Sequence, residues 1–590
     1  MMRRLALLLV LLLAAGAVQA APHVTVQVDG VSGPLLKNVL SYLSIVSYAQ
    51  APDLSESLVE RLHARAPDEI QRALQPFGYY DSQVDAELLP VGEDWIAHYH
   101  ITLPPPVHIR HVEIVVTGEG DRDPAYDAYV ARLPYAPGDQ LNQKAYEDSK
   151  RNLQQLAAQR GYIDARFSET RLAVNPQEHW ADVSLRFNTG PRYFFGDVSF
   201  VQDFLDPAFL QRYVTFKPGD PYDDTALLKL QYALNDAGYF GSVNVEAQRR
   251  QATPDRRIPI RVSLSPRPRN SWTFGLGYGT DTRARATVGW VDHRVNQEGH
   301  TFSAQAQLSS VMETVLFAYT VPLSDPANDK FIYSLGNARQ SSLGSAVAYT
   351  TQAGLSRSIA RGVWSDNQYL LFSHERDDIP ATPASPGQPA VPASVVNTTL
   401  VMPGFAISRQ QSDDLVLPTE GYRVSLDLHG ASNALLSDTT FLQAHLAAKL
   451  ILPLGDDTSL LLRGELGASA VKSFNELPTT QHFFAGGDQS VRGFSYNSLG
   501  ERVNGNNVGG KDLTVGSLEV DHFFGKIFGI DAFVDAGDAN NSFTTSLQKG
   551  IGAGLRWRTP VGMVRVDLAH PVKRPDLDRV RLHISLGPDL

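Results

Sequence analysis

The sequence predicts a secreted chain built from three tandem α+β domains and a C-terminal 16-stranded antiparallel transmembrane β-barrel. Three observations predict this. The chain opens on a short basic-then-apolar stretch. A glycine-aromatic motif then recurs three times at intervals of about 80 residues. Beyond the third copy the hydrophobic period changes to two and stays there to the C-terminus.

The N-terminal stretch comes first. Arg3 and Arg4 precede an apolar run from Leu5 to Ala15, and Val18-Gln19-Ala20 supplies small residues where cleavage needs them. That pattern predicts a secretory signal peptide over 1–20, too short to span a bilayer. The 590 residues include no cysteine, so neither a disulfide framework nor a thiolate metal site is available. A net charge of −11 argues against a nucleic-acid binder, which would carry a basic face.

The repeats follow. Phe77-Gly78-Tyr79-Tyr80-Asp81 returns as Arg160-Gly161-Tyr162-Ile163-Asp164 and as Ala237-Gly238-Tyr239-Phe240-Gly241. Pro137-Gly138-Asp139 returns as Pro218-Gly219-Asp220. Each motif is preceded by one apolar helical face: Ile70, Ala73, Leu74 and Phe77 in the first unit, Leu227, Leu230, Leu234 and Ala237 in the third. The glycine then stops the helix as a left-handed C′ residue. Strands such as Ser242-Val243-Asn244-Val245 complete the unit. The expected domains are 22–104, 105–188 and 189–266, with Ser265 to Asn270 as a short stiff linker. The glycine-aromatic pairs read as helix stops with core aromatics rather than binding loops.

From 271 to 590 the pattern alternates. Trp272, Phe274, Leu276 and Tyr278 interleave with Thr273, Gly275, Gly277 and Gly279. Val580, Leu582, Ile584 and Leu586 interleave with Arg581, His583 and Ser585 at the other end. An apolar face toward lipid and a polar face toward a wet lumen account for this, and in lipid such a sheet must close. Sixteen strands fit at about 20 residues per strand and connection, with long outer loops alternating with short inner turns. A proline-rich stretch from Asp378 to Ser394 reads as an exposed loop.

The longest connection runs from about Phe474 to Gly510, between the eleventh and twelfth strands. It contains Phe484-Ala485-Gly486-Gly487-Asp488-Gln489-Ser490-Val491-Arg492-Gly493-Phe494. This stretch resembles the signature loop of the BamA/TamA superfamily of outer-membrane assembly and two-partner-secretion proteins, and the repeats resemble their POTRA domains. The resemblance covers almost all of the chain beyond the signal. It implies a loop folded back into the lumen. Gly486, Gly487, Ser490, Val491, Gly493 and Phe494 then frame Arg492, which meets carboxylates on the inner wall. Asp535, in Phe533-Val534-Asp535, and Glu519, one strand earlier, match the family's acidic wall positions. Arginine's planar fork suits such pairing. Taken without the resemblance, Arg492 would read as a solvated loop charge.

Repeat number narrows the resemblance. Three POTRA domains, with no plug helix ahead of the first strand, are the pattern of the TamA branch. The ending Ile584-Ser585-Leu586-Gly587-Pro588-Asp589-Leu590 is similar to that branch too, and it lacks the terminal aromatic common in outer-membrane proteins. Pro588 cannot donate to a strand ladder, and Gly587 weakens the strand further. Gly275, Gly277 and Gly279 leave the inner face of the first strand bare. The seam between first and last strands, marked by Trp272, Phe274, Leu276, Leu582, Ile584, Gly587 and Pro588, therefore reads as weak. Such a seam offers an edge for β-augmentation. The same small residues would equally make room for the returning loop, and the resemblance favours a gate.

The functional expectation is an outer-membrane insertase and translocation factor for β-barrel clients such as autotransporters. The resemblance implies POTRA domains in the periplasm and a TamB-like, inner-membrane-anchored partner. The alternative is a two-partner secretion channel. No nucleotide or other cofactor and no metal is expected, since no P-loop occurs and the 16 histidines lack ligand spacing. An enzyme is not expected either. G-x-S-x-G and H-E-x-x-H are both missing, and His374-Glu375 lacks the second histidine.

Overall fold

The computed structural model describes residues 23–587 apart from 50, 52, 53, 93, 344, 345, 382, 385–389, 391, 415, 544, 545, 561 and 573–579. The signal peptide expected over 1–20, and Pro588 of the expected seam, lie outside the described residues. The chain divides into two compact units; residues of the third repeat belong to both.

The amino-terminal unit holds the first two repeats. In the first, the strand Val24–Asp29 pairs in parallel with Asp94–Thr102, which pairs antiparallel with Gln83–Val91. Helices Gly33–Tyr42 and Glu56–Leu74 supply the other layer. Val59, Leu62, Ile70 and Leu74 of the longer helix are buried with Tyr99 and Ile101 of the central strand. The second repeat copies this order: His108–Thr117 and Arg166–Asn175 flank Trp180–Asn188, with helix Gln143–Gln159 across them. In the third repeat Phe194–Val201 and Phe240–Ala247 flank Arg257–Pro266. Gly78, Gly161 and Gly238 all have left-handed φ, between 79° and 85°. The helix-stop reading of the motif therefore holds. The linker is shorter than expected: Pro266 ends one strand and Asn270 begins the next.

The carboxy-terminal unit contains one sheet of sixteen strands, each hydrogen-bonded to its neighbour in sequence, from Asn270–Gly279 to Arg581–Gly587. Period-two alternation is realised as drawn. Leu555 and Trp557 of the fourteenth strand, Gln548–Thr559, face outward, while Arg556 between them is buried. Among the described residues no helix is long and apolar enough to cross a membrane.

The expected alternation of long outer and short inner connections fails over the first five strands. The inner connections 293–300 and 323–328 exceed the outer turns 280–282 and 310–311. The reason is contact with the third repeat. The hydroxyl of Tyr239 donates to the Gly299 carbonyl at 2.6 Å, the Asp206 N–H donates to Gln297 at 2.9 Å, and Arg212 donates to Leu323 at 3.2 Å. An inner turn that makes such contacts cannot be minimal.

Candidate functional site

The connection between the eleventh strand, Thr458–Val471, and the twelfth, Asp512–Phe524, is the expected long loop. It returns against the lumenal wall. Val491 and Phe494 are buried with Ala485 and Leu499 of the loop and with Leu513, Val515 and Ala539 of the wall. An apolar plug of this kind removes water from the charges beside it.

Backbone geometry shapes the loop. Gly486 and Gly487 have φ of 100° and 111°, where side-chain-bearing residues are strained. A Cβ on Gly487 would lie 2.5 Å from a carboxylate oxygen of Asp281. Ser490 Oγ accepts the Gly486 N–H at 3.1 Å, which closes the turn. The following Val491 and Arg492 then point into the wall.

Arg492 is 3 % exposed. Its Nε donates to Asp535 Oδ2 at 2.8 Å and its Nη2 to Asp535 Oδ1 at 3.0 Å, the bidentate fork that arginine allows. Its backbone N–H also reaches Asp535, at 2.9 Å. Nη1 donates to Glu519 at 2.7 Å and to Asp567 at 2.9 Å. The guanidinium stacks 3.3 Å from the ring centre of Phe533. The expected partners Glu519 and Asp535 are thus both in contact with Arg492.

The sequence reading missed the second half of this cluster. Arg556, 1 % exposed, donates to Glu519 and Asp567 at 2.5 Å each. It also pairs with Asp531 at 2.9 Å and Asp521 at 3.3 Å. Two arginines therefore serve five buried carboxylates drawn from the twelfth, thirteenth (Phe528–Asn540) and fifteenth (Gly562–Val572) strands. Glu519, Asp521 and Asp531 have the spacing of metal ligands. Arg556 pairs with all three and supplies the positive charge a metal would bring. The shared signal was parity alone: Arg556 sits at an inward position of an alternating strand.

The expected seam is described in part, since Pro588 lies outside the described residues. Trp272, Phe274 and Leu276 lie on the lipid face, 60 %, 77 % and 90 % exposed, and pair with Trp290, Val288 and Ala286 of the second strand. Among the described residues, contact between the two edge strands centres on Thr280 and Ile584. The Thr280 N–H donates to the Ile584 carbonyl at 3.3 Å, and the Ile584 N–H donates to Thr280 Oγ1 at 3.0 Å. With Thr280 opposite Ile584, the described last strand, Arg581–Gly587, faces the outer half of the first. Beside this junction is a cavity of about 430 Å³, lined by Tyr278, Asp281, Arg285, Asp488 and Leu586 among others. Burial, then the facing Asp488 carboxylate, pushes the Asp281 carboxyl in the first outer turn up to about 7.

Residues 270–588 match the Omp85 superfamily domain, more than half of the chain. The chain belongs to the Omp85 superfamily. Residues 25–103 match the family described as POTRA domain TamA domain 1, and 193–267 match the POTRA family, surface antigen variable number repeat. The chain is similar to outer membrane protein assembly factor BamA of Nitratidesulfovibrio vulgaris, 21 % identical over 430 residues, which cover 70 % of this chain and 53 % of that protein. It thus spans about half the length of that relative. It is also similar to BamA of Neisseria meningitidis serogroup B, 21 % identical over 601 residues, covering 90 % of this chain and 73 % of the relative. In fold it resembles the crystal structure of Haemophilus ducreyi BamA lacking POTRA domains 1–3, with a TM-score of 0.65 at 17 % identity over 81 % of this chain and 99 % of that one. The protein is accordingly an outer-membrane barrel with periplasmic POTRA domains.

Proposed function

We propose that the protein is an insertase and translocation factor that helps β-barrel clients, autotransporters among them, to fold into the outer membrane. The observation that carries this is the seam. Among the described residues, one backbone hydrogen bond and one from the Ile584 N–H to the Thr280 hydroxyl join strands that a closed barrel would ladder along their length. Among the described residues no strand pairs with the inner half of the first strand's edge, which is flanked by Trp272, Phe274 and Leu276. An unpaired edge is a template for an incoming strand. Client folding supplies the driving energy, and the protein lowers the barrier. The three-repeat organisation and the match of 25–103 support the TamA branch of the superfamily. On that reading the POTRA domains contact clients and a TamB-like partner.

The test uses the absence of native cysteine. Gly279→Cys and Ser585→Cys face each other in the Thr280–Ile584 register. The double variant goes into liposomes, and insertion of an unfolded autotransporter barrel is timed with the seam oxidised and then reduced. Faster insertion only after reduction is expected. Equal acceleration in both states rejects an opening seam, and no acceleration in either favours a secretion channel.

A further inference from the structure

Among the described residues the two edge strands make few bonds with each other, yet both are bonded to the signature loop. Asp488 stands at the crossing. Thr280, just past the first strand, donates through Oγ1 to both carboxylate oxygens of Asp488 at 2.9 and 3.0 Å. That same Oγ1 accepts the Ile584 N–H from the last strand. His583, also on the last strand, bonds through Nδ1 to Asp488 at 2.5 Å. The Asp488 N–H donates to Asp281 at 2.7 Å. A second tie runs through the other face of the imidazole: the Gly493 N–H donates to His583 Nε2 at 3.0 Å. A third joins Arg581 to Ser495 Oγ at 2.7 Å.

The histidine's protonation follows from these partners. Nε2 accepts from a backbone N–H, so it carries no proton; Nδ1 therefore holds the hydrogen and donates it to Asp488. The ring is neutral and fully used. Gly493 directly follows Arg492, so the tie to the last strand and the lock on the wall pull on adjacent peptide units.

We propose that Asp488 and His583 are the latch of the seam: the signature loop, rather than a strand ladder, holds the first and last strands together. This rests on the reading that the seam opens in function. A client that displaces Asp488 breaks the loop's bonds to Thr280 and to His583 at once, because one carboxylate serves both strands. Asp488 and His583 are thus positioning residues, acting through the strands they hold.

The seam is measured without client. Tyr278→Cys and Leu586→Cys lie opposite each other in the same register, are both exposed, and take spin labels in protein reconstituted in proteoliposomes. Pulsed dipolar spectroscopy then reads the distance across the seam. One short distance is expected in the parent. Asp488→Ala and His583→Leu are expected to add a longer population and raise the open-to-closed ratio about tenfold, as loss of a charge-assisted hydrogen bond implies. His583→Gln, whose amide both donates and accepts, is expected to restore the short distance. Arg502→Ala, which removes bonds to Gly505 and Ser498 within the loop, is the control and is expected to match the parent.

Each variant is checked for a folded barrel by heat-modifiable migration. Should Asp488→Ala not fold, Asp488→Asn keeps one acceptor oxygen and replaces it. Unchanged distances in folded His583→Leu and Asp488 variants overturn the latch. So does a His583→Gln seam as open as that of His583→Leu. Client insertion timed on the same variants separates the two readings. A widened seam with unaltered insertion keeps the latch and rejects the insertase.

Discussion

At the scale of single residues, Arg492 and Arg556 look equivalent in charge and burial but differ in what they hold. Arg556 ties wall to wall; Arg492 ties loop to wall. Removing one partner of a well-buried ion pair costs about 3–5 kcal/mol because the other charge is left uncompensated. Arg492→Ala is therefore expected to free the loop while the barrel still folds, seen as new protease cleavage within 484–510 and reduced client insertion. Arg492→Lys keeps the charge but loses the fork on Asp535 and is expected to fall between parent and alanine. In the second domain, burial acts against ionisation of Asp123, yet Arg160 and the Ala125 N–H hold its carboxyl below the usual range. A depressed carboxyl stabilises the fold above the unfolded aspartate range and loses that contribution as pH falls through its folded value. Parent and Asp123→Asn are thus expected to differ in proteolytic resistance of 105–188 near neutrality and to converge in acid. What was legible here was the signature loop's arginine and, through resemblance, Glu519 and Asp535. Asp567, Asp531 and Arg556 were not, since their meeting depends on strand stagger, which alternation alone leaves undetermined.

At the scale of elements, the loop and the wall fit through missing side chains. A Cβ at Gly550, on the fourteenth strand, would stand 1.9 Å from the Arg492 carbonyl oxygen. Gly516, on the twelfth strand, has nothing within 4 Å of its Cβ position. Both are strand glycines and look alike in sequence. Gly550→Ala is expected to lift the Arg492 segment and reproduce the protease sensitivity of Arg492→Ala. Gly516→Ala is expected to leave it as in the parent. Limited proteolysis of the two proteins side by side decides it. Element order, the helix-stopping glycines and the loop's place between the eleventh and twelfth strands could all be read from period and repeats. The lengths of connections 293–300 and 323–328 could not, because they answer to the third repeat rather than to their own strands.

At the scale of the whole molecule, a barrel of sixteen strands is wide enough for an aqueous channel when nothing fills it. Here the signature loop fills part of the lumen with a dry cluster, Ala485, Val491, Phe494 and Leu499, held by Arg492. Pore width is then set by the lock, not by strand number. The protein in a planar bilayer is expected to conduct weakly and intermittently. Arg492→Ala is expected to conduct in longer and larger openings, since the plug loses its main ionic tie. A steady, large conductance in the parent would mean that the loop does not occupy the lumen in the membrane. The lock would then have no bearing on transport, and a permanently open secretion pore would be the better account of the chain.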